Sequence, residues 1–231
     1  GAGTAAGVAR AGAHVWGPAT AGPRGELMSQ GDAPGDGRIV VFNGNLMTGG
    51  RSPRPDTPTL GAYDDSWPAA AARLIARIRL ALGDTAVAIE HIGSTSVAGL
   101  RAKPVIDMAG RLPDGERLGD HTDAFSRAGW SEPIDLGSHE CMFLLDGTVR
   151  RAIAHVFTPR QWPVAHQRLF AAWLRRHSND RDAYAQLKQG LYDRGVWGRD
   201  YTESKTAFVQ DIVDRARAAK GLAPISVWDQ T

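Results

Sequence analysis

Cysteine is almost absent from the 231-residue sequence, and Cys141 is its single occurrence. One cysteine excludes an intrachain disulfide and any metal site built from several thiolates. This usage is typical of an intracellular protein, where disulfides are rare. Long hydrophobic runs are absent too: no stretch of roughly 18 apolar residues occurs, so the sequence predicts no membrane-spanning helix.

A large excess of positive or negative charge is also absent, because 27 Lys and Arg residues nearly balance 25 Asp and Glu residues. The net charge of +2 gives no broad attraction to nucleic acid or to an acidic membrane. Arg181 and Lys188 are interpreted as part of a basic helical stretch without the spaced aromatics of single-strand binding. The N-terminus lacks a basic start followed by a sustained apolar segment, so no signal peptide is predicted. We therefore expect a cytoplasmic protein whose partner is a small molecule.

Composition divides the chain into three parts. Residues 1–57 are dense in Gly, Ala and Pro, and such a segment buries too little apolar surface to offset the entropy of ordering it. We predict a largely disordered extension here, with one island, RIVVFNGNLM at 38–47, that favours a strand and an Asn-Gly turn. Residues 58–220 are predicted to form the folded domain, and residues 221–231 a C-terminal tail.

Hydrophobic periodicity predicts an α+β domain. Residues 66–83 favour a helix that has Ser66 as its N-cap and ends at Gly83. Strands and helices follow it, and helices alone close the chain. The predicted segments are strands at 86–93 and 104–110, a helix within 113–130, a β-hairpin over 140–159, and helices at about 161–177, 180–195 and 200–220. This order favours a small mixed sheet flanked by helices, with a helical C-terminal portion.

The stretch HIGSTSVAGLRAKPVIDM, residues 91–108, carries the clearest chemical pattern. A Gly-Ser pair lets the backbone turn sharply and exposes N–H groups and a hydroxyl to an anion. A helix that starts at Thr95 or Ser96 would add N-terminal amides that favour phosphate. Asp107 belongs to a strand that should run beside the first, where it can hold Mg²⁺ against phosphates. The predicted phosphate contacts are Gly93, Ser94, Thr95 and Lys103.

Several blocks of the sequence resemble the GrpB family, also called UPF0157. They are AYDDSWP at 62–68, EHIGSTSVAGLRAKPVID at 90–107, HV at 155–156, LK at 187–188 and YTESKTAFV at 201–209. The resemblance spans about residues 62–217 and implies the nucleotidyltransferase fold of the DNA polymerase β superfamily. It also implies a transferase that binds a nucleotide, with Mg²⁺ as the cofactor and Asp107 as its ligand.

The superfamily pattern has two acidic residues separated by one position, and this sequence keeps only the first. Asp107 is that first acid, and Ala109 stands at the place of the second. Two-metal nucleotidyl transfer needs several carboxylates around ions about 4 Å apart, so a single Asp predicts at most one metal. Relatives also often carry a His-x-His pair, of which His155 remains because Ile153 replaces the first histidine.

Five further positions complete the predicted site, and three of them have an ordinary alternative. Glu90 could supply the missing acid. His155 could donate a proton, or it could be structural. Arg150 could clamp a phosphate or a carboxylate, or it could be a solvated surface residue. Tyr201 and Lys205, at i and i+4 of one predicted helix, could reach a phosphate, or Lys205 could pair with a surface acid.

Three functions are consistent with these residues. The leading one is an enzyme that binds a nucleotide or phosphorylated small molecule beside Ser94 and Asp107, and transfers a nucleotidyl or phosphoryl group to a small acceptor. The second keeps the fold but uses Asp107, His155 or Glu90 as general acid or base in a metal-independent reaction of specialised metabolism. The third is a non-catalytic module that binds a nucleotide or a partner.

Overall fold

The computed structural model describes residues 39–42, 45–48, 59–85 and 88–227. The prediction of disorder for residues 1–57 therefore concerns a segment that lies outside the described residues, apart from one hairpin. In that hairpin β1 (Ile39–Phe42) pairs antiparallel with β2 (Asn45–Thr48). The strand predicted within 38–47 is thus present, while the two residues of its Asn-Gly turn lie outside the described part.

The described part of the chain contains six α-helices. They are α1 (Trp67–Leu82), α2 (Thr122–Arg127), α3 (His166–Arg176), α4 (Ser178–Asp193), α5 (Gly198–Glu203) and α6 (Thr206–Ala218). Ser66 precedes α1 and Gly83 ends it with a φ of 58°, as the sequence predicts, but the Ser66 hydroxyl makes no capping bond. Instead the Ser66 N–H donates to Asp64 Oδ1 at 2.8 Å. Across the described residues, no helix is both long and apolar enough to cross a membrane.

The prediction of one helix over 200–220 is wrong, because two helices occupy this stretch. α5 ends at Glu203 and α6 begins at Thr206, and in the turn between them the Lys205 N–H donates to Thr202 O at 3.1 Å. Thr206 Oγ1 also donates to Glu203 O at 2.6 Å. A hydroxyl that bonds a nearby backbone carbonyl competes with the regular helical pattern. Lys205 therefore precedes a new helix and does not continue the earlier one.

Five strands form one mixed sheet. They are β3 (Ala88–Ile92), β4 (Ile106–Arg111), β5 (Ile134–Asp135), β6 (Glu140–Asp146) and β7 (Val149–Phe157). Their order is β3-β4-β7-β6-β5, with β4 and β7 parallel and the other neighbours antiparallel. β6 and β7 are the predicted hairpin, and Gly147 has a φ of 58° in its turn. The predicted α+β class, with a small mixed sheet and a helical C-terminal portion, is confirmed.

Helices cover both faces of this sheet. On one face Met108 packs with Trp67 of α1 in the largest apolar cluster. Successive residues of a strand point to opposite faces, so Asp107 and Ala109 lie on the other face. There Ala109 packs with Ala171 of α3. Asp107 therefore faces the helical C-terminal portion, which places a site between the sheet and those helices.

Candidate functional site

A cavity lies between the second face of the sheet and helices α3 to α6. The end of β3, the following turn, β4, β7 and these helices all line it. The cavity and the solvent space at its mouth together comprise about 920 Å³. The predicted site residues that it brings together are Gly93, Ser94, Thr95, Lys103, Asp107, His155, Tyr201 and Lys205.

Gly93 and Asp107 are in close contact at the floor of the cavity. Gly93 has a φ of 68°, and a Cβ placed on it would lie 2.1 Å from Asp107 Oδ2. Glycine is therefore required for the conformation and for the close approach. Burial raises the pKa of Asp107 to about 7, while the charges of Arg150 and Lys205 act in the opposite direction. A carboxyl with this pKa can both accept and release a proton near neutral pH.

The turn after Gly93 differs from the helix that we predicted at Thr95 or Ser96. Ser94–Ser96 forms one 3₁₀ turn, so this segment contributes no α-helix dipole to the cavity. Thr95 Oγ1 donates to Val105 O at 3.2 Å and lies 2.9 Å from His91 Nε2, so its hydroxyl holds the turn against β4. Among these three residues, Ser94 is the one whose side chain contacts the cations of the cavity.

Three lysines converge in this cavity. Lys188 Nζ donates to Ser94 Oγ at 3.2 Å and to Arg101 O. Lys103 Nζ and Lys205 Nζ lie 4.4 Å and 4.1 Å from the centroid of the Tyr201 ring, a cation–π arrangement. Burial lowers the pKa of Lys188 and of Lys205 to about 7, and that of Lys103 to about 8. The lysines thus change their charge state in the physiological range.

Lys188 is the main residue that sequence reasoning missed. Lys188 lies on a helix, as the basic helical stretch predicts, but its side chain is buried, at 2% exposed. Two features distinguish it from the other basic residues. The buried residues of α4 are Tyr184, Lys188 and Leu191, so the lysine occupies its apolar face. The chain also has only four lysines among its 27 basic Lys and Arg residues, and three of the four line one cavity.

Two histidines line the cavity, and a third lies behind them. His155, from β7, and His166, at the start of α3, are lining residues. His139 Nε2 lies 2.9 Å from His155 Nδ1. Burial lowers the pKa of His139 and of His166 to about 4 and lowers that of His155 well below its ordinary value. All three imidazoles are therefore neutral at pH 7. Neither His139 nor His166 was predicted from the sequence.

Glu90 and Arg150 are predicted site residues that the structure does not place in the cavity lining. The Glu90 carboxylate accepts hydrogen bonds from Arg168 at 2.6 Å and 3.2 Å. It lies opposite Ala109 in the sheet, two pairs beyond the Ile92–Asp107 pair, and is bound to Arg168 instead of Asp107. Arg150 packs over the Phe143 ring at 4.9 Å, and its charge still opposes the rise in the pKa of Asp107.

The side chains around Asp107 do not fit Mg²⁺ held by the protein alone. In the described part of the chain, no group of three or more His, Cys, Asp or Glu side chains is placed to hold a metal ion. The position of the second acid is Ala109, which is fully buried in an apolar cluster with Phe157 and Ala171. The remaining charged neighbours are cationic, and they repel a divalent cation while they attract an anion.

The fold and the cavity together define a small α+β protein with a lysine-rich cavity on one face of a mixed sheet. A family model described as GrpB protein matches residues 57–215. The chain therefore belongs to the GrpB family, which confirms the resemblance of its sequence blocks.

Relatives and a solved structure agree with this assignment. A UPF0157 protein of Halalkalibacterium halodurans is 34% identical over 178 residues, which are 75% of this chain and 89% of that protein. A UPF0157 protein of Streptomyces coelicolor is 34% identical over 163 residues, 70% of this chain and 85% of that protein. The crystal structure of the conserved protein GrpB from Enterococcus faecalis is similar with a TM-score of 0.62 at 24% identity, over 69% of this chain and 98% of that one. At that identity the similarity concerns the fold.

Proposed function

We propose that this protein is a transferase that binds a nucleotide or another phosphorylated small molecule in the lysine-rich cavity. The observation that carries the proposal is the convergence of Lys103, Lys188 and Lys205 on a cavity with one carboxylate, Asp107. Three ammonium groups around a partly closed space favour an anion with more than one negative charge. Phosphate esters and polyphosphates are small molecules of that kind.

The choice of lysine over arginine supports a site that is alternately empty and occupied. Lysine loses its proton readily when it is buried, whereas the arginine guanidinium stays charged. In the empty cavity Lys188 and Lys205, with pKa values of about 7, can release protons and so avoid mutual repulsion. When an anion binds, its negative charge favours the ammonium form, and the lysines take protons up again.

Asp107 is the proposed general base of the transfer step. Its carboxylate would take the proton of an acceptor hydroxyl while the acceptor oxygen forms a bond to phosphorus. The bond from phosphorus to the leaving oxygen breaks in the same step, and the lysines offset the negative charge that develops. Any Mg²⁺ in this step would be coordinated largely by the phosphate oxygens of the ligand, because the protein offers a single carboxylate.

The rest of the cavity suits a ligand that has both apolar surface and hydrogen-bonding groups. Phe170 and Val209 add apolar walls. Gln167 also lines the cavity, and its Oε1 is buried without a hydrogen-bond partner among the described residues. A buried acceptor of this kind favours a ligand N–H or O–H group at that point. A nucleoside, with its amino and hydroxyl groups, satisfies these requirements.

A second candidate function is a metal-independent acid–base reaction on a small metabolite. The buried contact between His139 and His155 favours it, because this pair offers proton transfer without a metal ion. In that case the lysines would bind a substrate carboxylate or phosphate, and Asp107 would share the proton transfer. A protein that binds a nucleotide without turnover would instead be a binding module.

A thermal-shift panel with ATP, CTP, GTP and UTP, each with and without Mg²⁺, tests the proposal first. A ligand at about 100 times its Kd should stabilise the protein by about 2.7 kcal/mol. The shift should persist in Asp107→Asn and in the control Lys220→Met, whose lysine is exposed, and should be lost in Lys188→Met. Transfer of label from the bound nucleotide to acceptors should then require Asp107. No shift with any nucleotide would refute the nucleotide proposal, and transfer by Asp107→Asn would refute the role of the base.

A further inference from the structure

A chain of hydrogen bonds connects the cavity with the edge of the folded domain. His155 lines the cavity, and its Nδ1 lies 2.9 Å from His139 Nε2. His139 Nδ1 lies 2.8 Å from the Ser138 hydroxyl. The two histidines are buried, whereas Ser138 is half-buried. The chain thus runs from a residue that faces the cavity to one that solvent can reach.

The surroundings keep both imidazoles neutral. Burial disfavours the charged form of His139 and of His155, and the charge of Arg150 acts in the same direction on His155. A neutral imidazole can donate its proton readily only if its other nitrogen receives one in the same step, since an imidazolate is far too basic. His155 therefore needs a proton donor on its Nδ1 side, and His139 occupies that position.

Two neutral imidazoles joined in this way have two allowed arrangements. If Ser138 donates to His139 Nδ1, then His139 Nε2–H donates to His155 Nδ1, and His155 carries its proton on Nε2. In the other arrangement His155 Nδ1–H donates to His139 Nε2, and His139 Nδ1–H donates to the Ser138 oxygen. In both arrangements the two rings carry their protons on the same nitrogen, either Nε2 in both or Nδ1 in both. If the two tautomers differed, two lone pairs or two protons would face each other between the rings.

We propose that Ser138, His139 and His155 form a proton relay between solvent and the cavity, which rests on the proposed transferase function. In the first arrangement His155 donates its Nε2 proton to the leaving oxygen of the ligand. His155 Nδ1 takes the proton of His139 Nε2, His139 Nδ1 takes the hydroxyl proton of Ser138, and Ser138 takes a proton from water. The acceptor proton that Asp107 later releases to solvent neutralises the hydroxide left by this water. One proton leaves the relay and one enters it, so no charge remains on a buried ring. His139 and Ser138 are positioning residues, and His155 is the group that touches the ligand.

Long-range ¹H–¹⁵N correlation spectra of ¹⁵N-histidine-labelled protein test the relay, because they show which ring nitrogen carries the proton. In the wild type, His139 and His155 should have the same tautomer. In His139→Phe the new ring can keep the stacking on Phe157, now 4.7 Å between centroids, and the ¹⁵N chemical shift of His155 Nδ1 should move because its hydrogen-bond partner is lost. The matched control Cys141→Ala, opposite His155 in the sheet, should leave it unchanged.

Two results would overturn the relay: different tautomers in the wild-type protein, or an unchanged ¹⁵N chemical shift of His155 Nδ1 in His139→Phe. The wild-type spectrum needs no variant, so a folding defect does not remove the test. In the transfer assay, His139→Gln keeps a donor for His155 but cannot pass a proton on, so kcat should fall about 100-fold with Kd unchanged. An unchanged kcat would contradict the relay. A wild type that neither binds nor transfers a nucleotide would refute the proposed function, while the tautomer spectra would still decide the relay.

Discussion

The affinity of the cavity for a simple dianion should depend steeply on pH. Sulfate is a suitable probe because it remains a dianion throughout the range from pH 6 to pH 9. At pH 6 Lys188 and Lys205, with pKa values of about 7, are charged in the empty cavity. Above that pH they lose their protons, and sulfate must bind together with the protons that restore the ammonium groups. We therefore expect weaker sulfate binding at higher pH.

The magnitude follows from the number of protons taken up. If one ammonium with a pKa of about 7 is required, sulfate should bind roughly 100-fold more weakly at pH 9 than at pH 6, or about 2.7 kcal/mol. A second required lysine makes the change larger. Asp107 also weakens sulfate binding as the pH rises. Its pKa of about 7 means that it becomes negatively charged over this range, and the carboxylate then repels the dianion.

Titration calorimetry in several buffers at each pH measures both the Kd for sulfate and the protons taken up. Lys188→Met should bind more weakly at pH 6 and show a flatter pH dependence. Lys220→Met is the matched control, because Lys220 is an exposed lysine outside the cavity, and its curve should superimpose on that of the wild type. A Kd that stays constant from pH 6 to pH 9, or sulfate binding that tightens with pH, would refute the argument from the buried lysines.

Three further predictions concern the stability of the fold around the cavity, each measured by urea unfolding. Gly93→Ala should lower the free energy of unfolding by about 2 kcal/mol or more. The control Gly99→Ala, with a φ of 77° but nothing within 4 Å of the added Cβ, should lower it by only about 1 kcal/mol. Equal losses in the two variants would contradict the close contact of Gly93 with the Asp107 carboxylate. Ala109→Asp should destabilise by roughly 3 kcal/mol without creating Mg²⁺ binding, and a stable variant that binds Mg²⁺ by calorimetry would contradict the argument from packing. Burial lowers the pKa of His166 from 6.5 to about 4, so the unfolded chain binds this proton more tightly. A contribution of about 3 kcal/mol, present above pH 6.5, should therefore be lost as the pH falls to 4. Unfolding at pH 7.5 and 4.5 should show a smaller loss in His166→Gln than in the wild type, because His139 and His155 contribute a loss of the same sign in both proteins; equal losses would contradict the role of His166.

Local patterns predicted most of the elements of the fold. The helix from Trp67 to Leu82 and the hairpin through Gly147 follow from hydrophobic period and turn residues, which act over a few positions. The helix predicted over 200–220 failed because hydrogen bonds at Thr206 break it locally. The spacing of apolar residues does not reveal where a side-chain hydroxyl competes with the backbone for a carbonyl hydrogen bond.

The sequence by itself determined the α+β class, the Gly93 turn and Asp107 as the single acid of the motif. Only the tertiary structure decided which cations meet that acid. Lys188 and Lys205 are 81 and 98 positions away from it along the chain. The packing of α4 and α6 with α3 and with the segment after β3 brings them into one cavity. Tertiary structure also decided against Glu90, which Arg168 holds away from the cavity. The physical reason is that turns and strands depend on neighbouring residues, whereas a charge's partners and its pKa depend on which distant surfaces are buried together.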